Sequence, residues 1–308
     1  STEKRMRRIG IAHIDTSAPR RGRWGCRRKR ACSRPPSAAA NARRLANAGR
    51  VIRERTMTKK VAALFAGVAS IVVWACQPNA VVYDGFETTG LRQHWETRRF
   101  LPGAVRIQSS VARAGKGAAR IILRPGDQIP QERGSELERA ELQESTRLWS
   151  VEDSAYVYSF SVFVPQDFPI VSTRLVIAQW KQYCPVDACT PDNPTLAIRY
   201  QAGELSITKQ VTAEKDVLYR TRDDIRNRWL DFRFEIRFSR SQSGRIKAWL
   251  GDTLVIDYKG VTAYPASGGY VEDGLFYFKM GLYRDRSSEP MTIYFDEYRK
   301  HRLDARGP

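Results

Sequence analysis

Histidine and cysteine are scarce in this chain of 308 residues, at three and five, and the scarcity narrows the available chemistry. Cys26 and Cys32 fall in a basic leader, and Cys76 follows a short apolar run. That leaves Cys184 and Cys189 as the one pair in the remaining sequence. A zinc site there would need two further ligands of similar kind, and His94 and His301 are the only histidines left to supply them, so metal is the weaker reading. The loop Cys184-Pro185-Val186-Asp187-Ala188-Cys189 instead has the spacing of a short disulfide formed in an oxidising compartment. Also missing are an internal repeat, a Pro/Gly-rich linker after Ala80 and any stretch there that keeps a helical period for three turns. These absences leave one non-helical domain.

Charge is unevenly spread. Residues 1–56 hold 17 Lys+Arg against 3 Asp+Glu, a net of +14, whereas 57–308 hold 35 against 30, or +5. The formal +19 is therefore mostly a property of the leader and does not mark the rest as nucleic-acid binding. Rich in Arg, Ala, Ser and Pro, 1–56 reads as a disordered basic segment. Met57-Thr58-Lys59-Lys60 then supplies a positive n-region, and 61–74 an apolar run too short to span a bilayer comfortably. Val73-Trp74-Ala75-Cys76 resembles the end of a bacterial lipoprotein signal, with Cys76 as the lipidated residue. The expectation is that Met57 is the true start, that 57–76 is a signal peptide, and that the protein is exported to the periplasm, outer membrane or medium.

From Ala80 onward the pattern alternates with period two between turn clusters such as Ala202-Gly203, Gly251-Asp252 and Ser267-Gly268-Gly269. In 156–164, Tyr156, Tyr158, Phe160, Val162 and Val164 share one face. In 229–238, Leu230, Phe232, Phe234, Ile236 and Phe238 alternate with Asp231, Arg233, Glu235 and Arg237. Further strands are expected over 81–86, 105–108, 118–123, 139–144, 174–181, 195–200, 204–208, 245–250, 253–258, 276–283 and 291–298. Many short strands at near-regular spacing predict an all-β domain over 77–308, a jelly-roll sandwich of two antiparallel sheets.

Three of these strands carry one polar face each. Phe276, Phe278, Met280 and Leu282 point one way, and Tyr277, Lys279 and Tyr283 the other, with Gly281 leaving space for a ligand to approach. Arg139, Glu141 and Gln143 share a face opposite Ala140 and Leu142, and Gln179 and Lys181 lie side by side. Taken singly, each row is a solvated strand face or a cross-strand ion pair. Together they form a set.

The ordered motifs Arg139-Ala140-Glu141-Leu142, Gln179-Trp180-Lys181 and Tyr277-Phe278-Lys279-Met280-Gly281-Leu282-Tyr283-Arg284 resemble the jelly-roll polysaccharide lyases, the group containing glucuronan lyases, heparin lyase I-like enzymes and, more distantly, alginate lyases. The resemblance covers about 82–299 and includes Trp229-Leu230-Asp231-Phe232 and Ile293-Tyr294-Phe295-Asp296. It implies a concave sheet that binds an anionic polysaccharide and cleaves it by β-elimination. The α-carboxylate of a uronate must first be neutralised, and Gln179 and Arg139 are the residues for that role. Tyr283 matches the catalytic tyrosine and can serve as acid and, on a syn geometry, as base, with Lys279 four residues earlier supplying a cationic field.

Where several of these lyases carry a histidine, this chain has Lys181, which can act as a carboxylate clamp or as a base; His94 is the alternative base from another loop. Glu141, Gln143, Tyr277, Trp180 and, if its strand bulges, Arg284 are candidate substrate contacts. The resemblance requires no cofactor and is compatible with a structural calcium, although no ligand cluster marks a site. It implies a monomer with no nucleic-acid partner. A non-catalytic module for anionic glycans shares the fold. A glycoside hydrolase would need a second carboxylate paired with Glu141, and the sequence supplies no such motif.

Overall fold

Thirteen of the sixteen strands among the described residues follow from that alternation, because β-branched and aromatic side chains on every second residue can be buried only if the backbone is extended. The computed structural model describes residues 81–185 and 189–303. The leader, the expected signal segment 57–76 and Cys76 lie outside the described residues. In chain order the strands are β1 (Val82–Asp84), β2 (Trp95–Glu96), β3 (Val105–Gln108), β4 (Ala118–Leu123), β5 (Leu137–Glu144), β6 (Ser150–Val151), β7 (Ala155–Val164), β8 (Leu175–Gln182), β9 (Leu196–Gln201), β10 (Glu204–Lys209), β11 (Asp216–Thr221), β12 (Arg228–Arg237), β13 (Arg245–Leu250), β14 (Thr253–Lys259), β15 (Leu275–Asp285) and β16 (Met291–Arg302).

They form two antiparallel eight-stranded sheets. One runs β14-β13-β12-β7-β16-β4-β3 with β1 added on β16, and the other runs β11-β10-β9-β8-β15-β5-β2 with β6 added on β15. Neighbours in space are often far apart in sequence, as when β15 lies between β8 and β5, which is the crossing connectivity of a jelly roll.

The core lies between the sheets and is largely aromatic. Trp180 of the second sheet meets Phe234 of the first at 4.6 Å between ring centroids, and Phe276 stacks on Phe238 at 4.1 Å. Offset and edge contacts of this kind add about 0.5–1.5 kcal/mol per pair beyond burial. Phe278, Phe160 and Tyr298 continue the layer. The alternation expected in β7 and β12 is observed, with Tyr156, Tyr158, Phe160, Val162 and Val164 buried against Leu230, Phe232, Phe234 and Ile236.

Strands β2, β6 and β11 were not expected. The first and second have two residues each, and β11 is an edge strand whose side chains are exposed or half-buried, so no apolar period marks it. On β8 a bulge breaks the period: Ile177 separates Val176 from Ala178 while their partners Arg199 and Ile198 on β9 are adjacent. Ile177 and Ala178 are therefore both buried in the core, and Val176 and Gln179 both face the opposite side.

Candidate active site

The outer face of β5, β15 and β8 forms the floor of a groove of about 890 Å³. Cross-strand register assembles it: Lys279 on the central strand pairs with Gln143 on one side and Gln179 on the other, Tyr277 pairs with Lys181, and Tyr283 pairs with Arg139. All seven of these side chains line the groove. The opposite faces of the same strands carry Phe276, Phe278, Met280, Leu282, Ala140 and Leu142 into the core. One period-two pattern thus positions both the site and its support.

Glu141 lies beneath this surface and organises it, and does not line the groove as a substrate contact. Its carboxylate accepts from Arg139 Nη1 at 2.8 Å and from Gln179 Nε2 at 2.5 Å, and Lys279 Nζ is 4.0 Å away. Arg139 also forms an ion pair with Glu132, and Gln143 accepts from Arg99 Nε at 3.1 Å. Fixed in this way, the guanidinium and the amide have no rotameric freedom to lose when a ligand binds. The Nε of Arg139 remains buried and without a hydrogen-bond partner.

Burial, with Arg139 next in effect, pulls the Lys279 amine well below its ordinary 10.5, and Glu141 pulls the other way. A depressed lysine binds fewer protons in the folded state than in the unfolded one, so its contribution destabilises fully below the folded value and relaxes as pH rises towards 10.5. Lys279→Met leaves Glu141 its bonds to Arg139 and Gln179. The variant is expected to be more stable than the parent at pH 7 by about 1 kcal/mol or more. Denaturant unfolding at pH 6, 7, 8 and 9 checks this, and a variant less stable than the parent at pH 7 contradicts it.

Tyr283 sits at one end of the groove between guanidinium groups. Arg139 lies 4.1 Å from its ring centroid and Arg174 4.9 Å. The cations nearest this phenol are therefore Arg139 and Arg174, and Lys279 does not take the place expected for it: it packs beneath Tyr277, 5.4 Å from that ring, and over Glu141. Gly281 does not leave space for a ligand. At φ 142° it brings β15 against β5, where a Cβ would collide with the carbonyl oxygen of Ala140 and press on the Cα of Glu141.

Two expected substrate contacts are corrected by the fold. Trp180 is 0% exposed and packs on Phe234 and Phe278, because it alternates with Gln179 and Lys181 and so faces the core. Arg284 is also 0% exposed, and its Nη2 pairs with Glu138 at 2.7 Å on the core face of β5. Lys181 does line the groove, ion-paired with Asp192 at 2.7 Å. His94 lies outside the groove, half-buried near Asp84, and burial pushes its pKa down.

The structure adds groove residues that sequence reasoning missed. Trp149 stacks on Tyr277 at 5.0 Å and tilts against Tyr183 at 5.0 Å, giving one end an aromatic wall. Burial pushes the Tyr277 phenol up to about 12. Arg98, Arg99, Arg174, Arg199 and Lys215 join Arg139, Lys181 and Lys279, so that eight cations line the groove against the three carboxylates of Glu96, Glu132 and Asp192. Nearby, Cys184 and Cys189 are disulfide-bonded across a Cα separation of 5.9 Å, and Cys184 lines the groove. Among the described residues no group of three or more His, Cys, Asp or Glu side chains is placed to hold a metal ion.

A family model described as polysaccharide lyase matches residues 85–299. Among solved structures, the endo-β-1,4-glucuronan lyase of the fungus Trichoderma reesei is similar in fold, at 17% identity and a TM-score of 0.56, over 72% of this chain and 95% of that one. An alginate lyase, Aly36B, in a doubly substituted form in complex with an alginate trisaccharide, is 11% identical with a TM-score of 0.50, over 73% of this chain and 98% of that one. A search of curated proteins finds no match.

Proposed function

The chain belongs to the polysaccharide lyase family, and from that premise we propose that it cleaves a uronate-containing polysaccharide by β-elimination in the groove over β5, β15 and β8. The observation that carries this reading is the excess of cations converging on a tyrosine that is flanked by two guanidinium groups. A polyanion is the ligand that such a surface attracts.

In the proposed reaction the uronate carboxylate is neutralised first, because the dianion formed on removing the adjacent proton is otherwise too unstable. Gln179 and Arg139 perform this task. Glu141 holds both in place. Tyr283, as phenolate, takes the C5 proton. The C4–O bond breaks, its electrons leave with the glycosidic oxygen, and the C5–H electrons form the C4=C5 double bond. The same phenol then gives its proton to the leaving oxygen, so tyrosine returns to its starting state. Arg139 and Arg174, beside the ring, offset its negative charge before the proton is taken and after it is given up. Lys181, ion-paired with Asp192, adds positive charge and does not act as the base. The presence of Trp149 and Tyr277 beside the cations suits a polymer whose sugars have both charged and apolar edges.

The test is incubation of the purified protein with glucuronan, alginate and heparin while following the ultraviolet absorbance of the new double bond. Absorbance should rise on at least one of them, and no rise on any with a folded protein contradicts the proposal. Export belongs to the same reading, with a monomer anchored through a lipid on Cys76. Mass spectrometry of the native protein should show Cys76 lipidated at its N-terminus, and peptides from 20–50 would overturn it.

A further inference from the structure

Three arginines surround Tyr283, and their existing partners differ. Arg139 is committed to Glu132 and Glu141. Arg174 makes a forked contact with Asp285, from Nη2 at 2.5 Å and from Nε at 3.1 Å. Arg199, on β9, makes one neutral contact: its Nε donates to the Thr208 hydroxyl at 3.0 Å. It forms no salt bridge with any described residue, and its charged neighbour is another cation, Arg174.

A partly buried guanidinium that faces a second guanidinium is unfavourable where it stands. Burial, with Arg174 adding to it, pushes its pKa below the usual arginine value. The protein gains nothing in stability from such an arrangement, whereas an arriving anion would gain from it. Because Thr208 fixes Nε, the planar group is oriented and its two terminal nitrogens remain for a carboxylate, which they can grip in parallel. Arg199 lines the groove and pairs in register with Val176, one strand further out than Gln179, which pairs with Ala197. Two residues along a strand and one strand across is an offset of about 8 Å between Cα atoms.

The geometry points to Arg199 as a specificity-determining residue that binds a carboxylate of the polysaccharide at the Tyr283 end of the groove, with Arg174 as the second cation of the clamp. This inference rests on the uronate-lyase reading for the identity of the anion. It goes beyond that reading in naming a cation outside the three floor strands and in predicting that a carboxylate beside the phenol is required for tight binding.

The experiment compares the parent, Arg199→Met and Arg199→Lys, using the polyuronate on which turnover is found and a sample of it whose carboxyls have been partly reduced to alcohols. Binding is measured separately by titration calorimetry with glucuronate and mannuronate tetrasaccharides. Arg199→Met should weaken binding and raise KM about 10- to 100-fold with kcat changed less than about threefold. Arg199→Lys should recover part of the loss, and the parent's preference for the unreduced polymer should shrink in Arg199→Met. Thermal stability is the readout that a merely structural arginine would move the other way: Arg199→Met should melt at the same temperature as the parent or higher. Unchanged KM and affinity, or a clear loss of stability with unchanged KM in the folded fraction, overturns the inference. If the parent shows no elimination on any polymer while Arg199→Met still loses affinity for the tetrasaccharides, the lyase mechanism falls and the clamp stands. If elimination is present and Arg199→Met binds and turns over like the parent, the clamp falls and the mechanism stands.

Discussion

Replacing Tyr283 with phenylalanine is expected to lower kcat by about 10³-fold or more, because one hydroxyl is asked to be both base and acid and each role contributes on the order of 10²–10⁴-fold. The substitution isolates that atom. The ring stays beneath Arg139 and beside Arg174, so the cation–π contacts at 4.1 Å and 4.9 Å remain available to phenylalanine. The core side of β15 is untouched, since Met280 and Leu282 face away from the groove. Folding stability and oligosaccharide affinity should therefore stay close to those of the parent, the latter within about threefold. Kinetics and titration calorimetry on the same sample separate the outcomes. A variant with parental kcat would remove Tyr283 from the chemistry, and one with lost affinity but parental kcat would make it a binding residue only.

Arg284→Ala should act on stability in the way Tyr283→Phe acts on rate. Arg284 and Glu138 form a salt bridge with neither side chain exposed, and Arg284 Nε adds a second bond to the same carboxylate at 2.8 Å. Glu138 also accepts from the backbone N–H of Gly126 at 2.6 Å. Removing the guanidinium leaves a carboxylate in the core without a cation, a loss of about 3–5 kcal/mol. For a domain of this size that lowers the melting temperature by roughly 6–20 °C. Replacing both partners together, as Arg284→Met with Glu138→Leu, should restore much of the loss, since an apolar pair of similar volume leaves no charge stranded. In the folded fraction KM should be unchanged, because Arg284 does not line the groove. A raised KM with an unchanged melting temperature would put Arg284 back among the substrate contacts.

The division of 276–283 into a core face and a groove face was legible because a period of two is a local property of the chain. The same rule already excluded Trp180 from the groove: flanked by Gln179 and Lys181, it had to point inward. The aromatic side chain suggested sugar stacking, but the stacking surface comes from Trp149, which lies after β5, outside any regular strand pattern. Charges in the core were not legible. Glu138 and Arg284 are 146 residues apart, and only the pairing of β5 with β15 brings them opposite each other. The cations around Tyr283 have the same origin, since Arg174 immediately precedes β8, where its carbonyl accepts from the backbone N–H of Asp285, and Arg199 sits on the next strand out in register with Val176. The bulge on β8 also resets which residues face the groove, and nothing in the alternation of 174–181 announces it.

The central claim is elimination, with Tyr283 carrying the proton, and the most direct measurement is the mass of the oligosaccharides released from a uronate polymer by the parent and by Tyr283→Phe. Elimination adds no water, so every fragment from the parent that carries a new non-reducing end should be one water lighter than the corresponding hydrolysis fragment, and the Tyr283→Phe sample should contain almost none of these. Cleavage that yields only fragments of full hydrolysis mass would contradict the account, as would unsaturated products formed at the parental rate by the variant.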